Sequence, residues 1–394
     1  MLSAVLAGAL AGRALSASDG LALMLAPVEA LPDVIAAAGA LRDAGHGRVV
    51  TFSAKVFVPL TNLCRDYCGY CTFRRDPGEA GAHTMDESEV VSLCRAGEQM
   101  GVKEALFSLG DRPEAVFPEH RAWLTERGHA STLVYLARAC ARVVDETGLL
   151  PHANPGLMGA RDLEALRPVN ASMGLMLEST SERLLAPGEA HDRAPDKVPR
   201  HRLRTLASAG ALRIPMTTGI LIGLGETLQE RVDALIAIRA LHERYGHIQE
   251  IIVQNFRAKP TVRMRGQPDP SFEDLQRTVA VARLLLGARA SIQAPPNLSP
   301  DTYPELIRAG LSDWGGISPL TIDHINPEAP WPLLIALRQA TSALGYELRE
   351  RLTVYPEYIV DRPAFLHDRM RERALAYTGS DGLVRPELEK WRQW

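Results

Sequence analysis

Hydrophobic positions in the first 48 residues recur at helical spacing, and the chain then changes period. Ser16-Ala17-Ser18-Asp19 opens a second helical segment that runs through Leu23 and Leu25, and Leu31-Pro32-Asp33 opens a third. From Arg48 onward the residues Val49 to Phe52 and Lys55 to Val58 are β-branched and aromatic, which reads as a strand. Apolar runs at 104–109, 149–152, 171–177, 214–222, 250–255, 291–294 and 315–318 follow as further strands. Between and after them, 86–101, 131–148, 159–167, 200–210, 227–245, 271–287, 301–309 and 331–344 carry helical spacing, several opened by Asp, Ser or Thr caps. Eight strands alternating with helices predict a parallel sheet with crossover helices, closed as a (β/α)8 TIM-type barrel of the α/β class. The expected organisation is a helical segment at 1–47, the barrel at 48–344, and an extension at 345–394 packed on the barrel. Within that extension, 352–358 could either cover the barrel mouth or brace the barrel.

Composition narrows the class. With 46% apolar and 23% charged residues and a net charge of -3, the chain can bury a large core. It carries no basic field suited to nucleic acid. The apolar N-terminus lacks a positive region before it and meets Arg13 too early to span a bilayer, so it is expected to pack as a helix on the barrel. No membrane partner is expected, and the cytoplasm is the expected compartment.

Barrels of this kind carry their chemistry on the loops after the strands. Here the first such loop holds Cys64, Cys68 and Cys71, a C-x3-C-x2-C cluster. Structural zinc wants four closed ligands, and the next candidates, His83 and Cys94, lie 12 and 23 residues beyond Cys71. A disulfide framework fits poorly, because five cysteines in 394 residues is sparse and odd. Cys94 and Cys140 fall within helical stretches and read as small core side chains. Three thiolates can instead hold an iron-sulfur cube while leaving its fourth iron without a protein ligand.

The cluster resembles the radical S-adenosylmethionine (SAM) signature, with Tyr70 as the aromatic residue before the last cysteine. That resemblance implies a 4Fe-4S cluster whose open iron is chelated by SAM. Reductive cleavage of SAM then gives methionine and a 5'-deoxyadenosyl radical, so the reactive species derives from SAM and no side chain is assigned as catalytic. It also implies SAM contacts on the neighbouring loops. Gly110 and Asp111 stand where the superfamily carries a Gly-Gly-Glu-like motif facing the methionyl ammonium, although the match is loose. Glu178 at the end of the fourth strand could meet the ammonium or the ribose, or serve a helix cap instead. Arg202 suits bidentate capture of the SAM carboxylate, unless it shares a solvated face with Arg200 and Arg204. Tyr70 is expected to bring main-chain atoms near the adenine. The run Gly219 to Thr227 does not follow G-x-G-x-x-G, and its apolar strand is expected to lie under the adenosine.

Longer phrases carry a closer resemblance. Lys55 to Phe73, Met216 to Thr227, Ile251 to Pro260, Gln293 to Leu298 and Asp313 to Thr321 are similar to the CofG-type 7,8-didemethyl-8-hydroxy-5-deazariboflavin (Fo) synthases, over roughly residues 48 to 360. The resemblance implies an ammonia-releasing lyase of coenzyme F-420 biosynthesis. Its substrate would be a tyrosine-derived adduct of 5-amino-6-(D-ribitylamino)uracil, supplied by a separate CofH-type radical SAM protein, and an electron donor would be needed. A uracil ring and ribityl chain call for amide and carboxylate partners, and Gln254, Asn255, Asn297, Asp323, His324 and Asn326 are the strand-end candidates. The alternatives are a CofH-like or menaquinone-pathway enzyme on an aromatic substrate and, from another class, a non-catalytic iron-sulfur electron carrier.

Overall fold

The structure, a computed structural model, describes residues 2 to 393. Eight parallel strands close a barrel: β1 (Val49–Thr61), β2 (Glu104–Leu109), β3 (Leu150–Asn154), β4 (Ser172–Gly174), β5 (Met216–Ile222), β6 (Ile248–Asn255), β7 (Ile292–Gln293) and β8 (Asp313–Ile317). They pair in sequence order, and β1 closes the ring by pairing with both β8 and β2. A ninth strand, β9 (Glu347–Glu350), adds to the first four residues of β1.

The alternation of β1 explains the two surfaces of the barrel. Val50, Phe52, Val56, Val58 and Leu60 are fully buried in the main apolar core. Val56 lies against Gly97 of the helix Glu87–Gln99, which marks the outward face. The intervening Thr51, Ser53 and Lys55 point inward and meet polar partners on the two neighbouring strands: Asp313 of β8 for Thr51 and Glu104 of β2 for Ser53 and Lys55.

Helices begin where the sequence offers caps. Asp86, Thr227 and Ser16 each accept from the amide three residues on, and Glu89, Glu230 and Asp19 return the bond, three capping boxes. The N-terminal helices Ala17–Met24 and Leu31–His46 lie on the barrel's own helices; Gly20 touches Val232 and Leu285, and Gly39 touches the carbonyl of Arg308. Among the described residues no single helix is long and apolar enough to cross a membrane.

Several elements depart from the pattern read in the sequence. Regular pairing in the fourth strand stops at Gly174, three residues short of the expected end, because Leu177 donates to the Thr218 hydroxyl instead of a ladder carbonyl. The expected strand 291–294 is regular only at Ile292–Gln293. The expected helix 301–309 is reduced to Glu305–Arg308, since Pro304 has no N–H to extend the turn before it. The helix Pro118–Glu126, with proline at its first position, was not anticipated.

The described residues after 345 lie at the N-terminal ends of the strands, where β9 pairs with the start of β1, the end opposite the cysteine loop. Beyond β9, Leu352, Val354, Tyr358 and Met370 form a second apolar cluster with Leu150 and Ala171. Arg351 enters the barrel floor, where its Nε and Nη2 donate to Asp313 at 2.6 and 2.9 Å and Nη2 also donates to Glu250 at 3.2 Å. The segment therefore braces the floor.

Candidate functional site

The loop after β1 is held on three sides. The amides of Arg65, Tyr67 and Gly69 donate to the carbonyls of Asp111, Arg193 and Ala190, at 3.2, 3.0 and 2.7 Å. These bonds fix a segment that carries Cys64, Cys68 and Cys71 toward a common cavity. The Cys64 sulfur accepts from the amides of Asp66 (3.4 Å) and Asp111 (3.2 Å). Burial pushes the Cys64 thiol up to about 12 and the Cys68 thiol well above its ordinary range, so these sulfurs stay protonated until a metal displaces the proton. The other cysteines sit elsewhere: Cys94 and Cys140 are fully buried in outer helices, and Cys140 contacts Asn170. His83 lies at the surface paired with Glu89.

The cavity has a volume of about 260 Å³. Gly110 and Asp111 end β2 directly against the cysteine loop. A Cβ on Gly110 would stand 2.0 Å from the Leu63 carbonyl oxygen and 2.6 Å from the Cys64 Cβ, so only glycine allows this approach. Asp111 is buried. One of its oxygens accepts from the Leu157 amide at 2.9 Å; the other has no hydrogen-bond partner among the described residues, with Arg112 Nε 3.7 Å away. Burial, together with the carboxylates of Asp66 and Asp196 within 4.8 Å, raises Asp111 to about 7. Arg65 balances this acidic group by donating Nε and Nη2 to Asp196, each at 2.6 Å.

Glu178 reaches the cavity through the irregularity that ends β4. Its φ is +66°, and its amide rejoins the sheet by donating to Gly219 at 2.9 Å. Its carboxylate accepts from the Lys197 ammonium and the Tyr70 hydroxyl, and lies 3.2 Å from His191 Nε2. Burial alone would raise this carboxyl, but the Lys197 charge and the His191 contact hold it well below the usual range.

Two of the expected residues have partners that the sequence did not show. Arg202 is buried and lines the cavity, but its Nε and Nη1 are committed to the carbonyls of Met176 (2.6 Å) and Asp196 (3.1 Å), and Nη2 stands 3.7 Å from Glu178. It is not a free fork for a bidentate ligand. Tyr70 contributes its hydroxyl to Glu178, a side-chain role beyond the main-chain one expected. Sequence reasoning missed Lys197, His191, Asp66 and Asp196. The only local signal was the bracket Pro195 to Pro199, which fixes an irregular loop without revealing which side chains turn inward.

Of the six polar strand-end candidates, Gln254, Asn255 and Asn326 line the cavity, and Asn255 Oδ1 is buried without a partner. Asn297, Asp323 and His324 stand behind the lining. Asp323 is consumed internally, accepting from Asn297 Nδ2 (3.0 Å), Asn326 Nδ2 (2.9 Å) and the Ile325 amide (2.9 Å), so it knots the loops after β7 and β8 together. His324 packs near Phe73. Lys259, also unforeseen, lines the cavity and donates to Ile325 O and Asn326 Oδ1 at 2.8 and 2.7 Å.

The donor set fits an iron-sulfur cluster and a bound SAM. Three thiols from one loop border the cavity, and the buried, unpartnered oxygen of Asp111 beside Cys64 is an acceptor that a ligand ammonium would satisfy.

Comparison with known proteins adds to this geometry. The model of the Radical SAM superfamily matches residues 58–238. The "FO synthase" of Streptomyces avermitilis is 50% identical over 377 residues, covering 93% of this chain and 44% of that protein. The "FO synthase" of Mycobacterium tuberculosis is 48% identical, covering 100% of this chain and 48% of that protein. The chain thus spans less than half the length of these relatives. The "7,8-didemethyl-8-hydroxy-5-deazariboflavin synthase" of Methanopyrus kandleri is 48% identical over 337 residues, covering 86% of this chain and 100% of that protein. Among solved structures, the FeFe-hydrogenase maturase HydG from Carboxydothermus hydrogenoformans superposes with a TM-score of 0.70 at 18% identity, covering 100% of this chain and 92% of that one. Methylornithine synthase (PylB) superposes at 0.68 and 18%, covering 87% and 97%. These two likenesses speak to the fold alone.

Proposed function

The chain belongs to the 7,8-didemethyl-8-hydroxy-5-deazariboflavin (FO) synthase family, and on that footing we propose that it is a radical SAM synthase that closes the deazaflavin ring. The substrate would be the tyrosine-derived adduct of 5-amino-6-(D-ribitylamino)uracil, and the reaction a lyase type that releases ammonia. A separate CofH-type protein would supply the adduct, an electron donor would supply reducing equivalents, and the cytoplasm would be the compartment.

Cys64, Cys68 and Cys71 would hold a 4Fe-4S cluster, which together with SAM supplies a 5'-deoxyadenosyl radical for hydrogen abstraction. The protein's own groups would then bind, orient and exclude water. Asp111 offers a buried oxygen to the methionyl ammonium. Glu178, held ionised by Lys197 and His191, keeps Tyr70 fixed beside the cysteine it precedes. Arg202 locks the ends of this arrangement to the main chain and contributes positive charge to the SAM side of the cavity. Gln254, Asn255 and Asn326 present amides suited to the uracil and ribityl groups. Low-polarity walls at Leu109, Met176, Leu221 and Phe256 limit the water and stray groups available to a reactive intermediate.

The observation that carries the reading is the convergence of three thiols, an Asp111 oxygen without a hydrogen bond and four amide side chains, those of Asn154, Gln254, Asn255 and Asn326, on one cavity. The test is anaerobic reconstitution followed by incubation with SAM, reductant and the adduct. Deazaflavin fluorescence, the mass of FO, methionine, 5'-deoxyadenosine and ammonia are the expected products. Tyrosine and the ribitylaminouracil alone should give no FO until a CofH-type protein is added. Efficient FO formation from those two precursors without a partner, or failure with authentic adduct despite SAM cleavage, would overturn the assignment.

A further inference from the structure

A second concavity, of about 720 Å³, shares Cys68, Cys71, Arg74 and Lys259 with the cavity described above. Its remaining walls come from the cysteine loop, from Arg193 after β4, from residues 258–263 after β6 and from Pro327 and Glu328 after β8. Five cations border it, Arg74, Arg75, Arg193, Lys259 and Arg263, against two carboxylates, Glu79 and Glu328. Arg74 is already paired with Asp76, and Arg263 with Asp192 at 3.0 Å. The other three charges rest on neutral groups. Arg75 donates to the carbonyls of Thr72 and Arg74, both at 2.7 Å, and Lys259 donates to Ile325 O and Asn326 Oδ1. Arg193 is exposed and lies 4.3 Å over the ring of Tyr67, which Arg74 also contacts at 3.5 Å.

On a chain whose net charge is -3, this is a local positive field, and it reaches two of the three cluster cysteines. Positive charge around a concave rim steers an acidic partner and fixes its orientation more than it adds affinity. Electron transfer needs the donor group close to the acceptor, and this groove brings a docked surface directly to Cys68 and Cys71. We propose that the groove is the docking surface for a small acidic electron-carrier protein. The inference rests on the cluster reading above and names where its reductant binds. In each encounter the carrier's reduced flavin or iron-sulfur group loses one electron and the cysteine-held centre gains one. No atom is transferred, and the oxidised carrier departs.

The test uses an acidic flavodoxin and an acidic ferredoxin as probes. Their binding to the cluster-free and the reconstituted protein is measured at low and high salt, with the rate at which each reduced carrier reduces the reconstituted cluster. Binding should weaken with salt. Arg193→Glu should weaken it and slow carrier-driven reduction roughly tenfold or more, whereas Arg289→Glu, an exposed charge far from the groove, should change neither. Arg75→Gln/Arg193→Gln removes two charges while keeping polar side chains, and guards against a folding defect. In every variant, iron content and reduction by dithionite should match the parent. Binding and carrier-driven reduction that ignore both salt and these substitutions, or no binding of either carrier to the parent protein, would overturn the proposal. FO formation with dithionite reports on the proposed function separately, so a failure of one is not mistaken for a failure of the other.

Discussion

The mouth and the floor of this barrel both bury charge, and they treat it differently. On the floor, Arg351 is clamped by Asp313 and Glu250, and Lys55 by Glu104 at 2.8 Å, so each of these carboxylates has its cation, and the buried acceptors left over among the described residues include only neutral groups there, Gln293 Oε1 and the Tyr355 hydroxyl. At the mouth, three carboxylates crowd beside Cys64, and an oxygen of Asp111 and one of Asn255 are buried without a hydrogen-bond partner among the described residues. A charge network that satisfies itself fixes a fold, whereas one that leaves acceptors open is arranged to receive something. The floor receives nothing further because the C-terminal extension already fills it.

The strongest way to separate the two ends is to remove the mouth's thiols. Changing Cys64, Cys68 or Cys71 to Ala should abolish the cluster, read as iron content and visible absorption after reconstitution, while Cys94→Ala and Cys140→Ala should retain it. Loss of the cluster in a folded Cys94→Ala protein would contradict the ligand assignment. At the floor, Arg351→Met should leave Asp313 and Glu250 buried without a countercharge. A cost of about 3 to 5 kcal/mol is expected from denaturant unfolding, with SAM affinity of the surviving folded fraction unchanged. An Arg351→Met protein of parental stability would remove the floor from the account.

Glu178→Gln tests the most self-contained cluster at the mouth. Its charge positions Lys197 and Tyr70 beside the SAM side of the cavity, and losing a charge-assisted acceptor typically costs about 1.5 to 3 kcal/mol, so the loosened cluster should lower SAM affinity, measured calorimetrically, by up to roughly 10- to 150-fold while iron content is kept. The Arg202→Ala variant should weaken SAM less, since most of its guanidinium serves main-chain carbonyls. Equal losses in the two variants would restore a direct ligand role for Arg202.

A further difference is read in pH. Burial lowers His152 and His247 to about 4 and His46 to about 3, so all three are neutral in the folded chain, while the unfolded chain takes up protons near about 6.5. Below that value the unfolded state binds more protons, so their contribution is intact above pH 6.5 and is lost as the pH falls toward 4. Each unit of displacement corresponds to about 1.4 kcal/mol. Denaturant unfolding across this window should show the slope, and His247→Phe should make it shallower; an unaltered slope would place the acid sensitivity elsewhere.

The contrast between the two ends also separates what could be read in the sequence from what could not. The run Glu104 to Leu109 forms a strand over those same residues, and the cysteine loop was legible because its chemistry is contiguous. Glu178 was visible as a carboxylate at a strand end. Its partners were not, since Lys197 and His191 come from a loop with no hydrophobic period and meet it only through the fold. Arg202 showed its charge but not the carbonyls that occupy it. Asp323 looked like a ligand because nothing in a sequence reveals that Asn297 and Asn326 already bond to it. The floor was the least legible part. β9 is only four residues of Glu-Leu-Arg-Glu, too short for alternation to stand out, and Arg351 pairs with residues 38 and 101 positions away.

Hydrogen-deuterium exchange of the reconstituted protein with and without SAM tests the division of labour most directly. Slowed exchange is expected at 63–73, 109–112, 154–157 and 176–178 around the mouth, with β9 and the residues following it unchanged. Protection that appeared on the floor, or failed to appear around the cysteine loop and Glu178, would contradict the account.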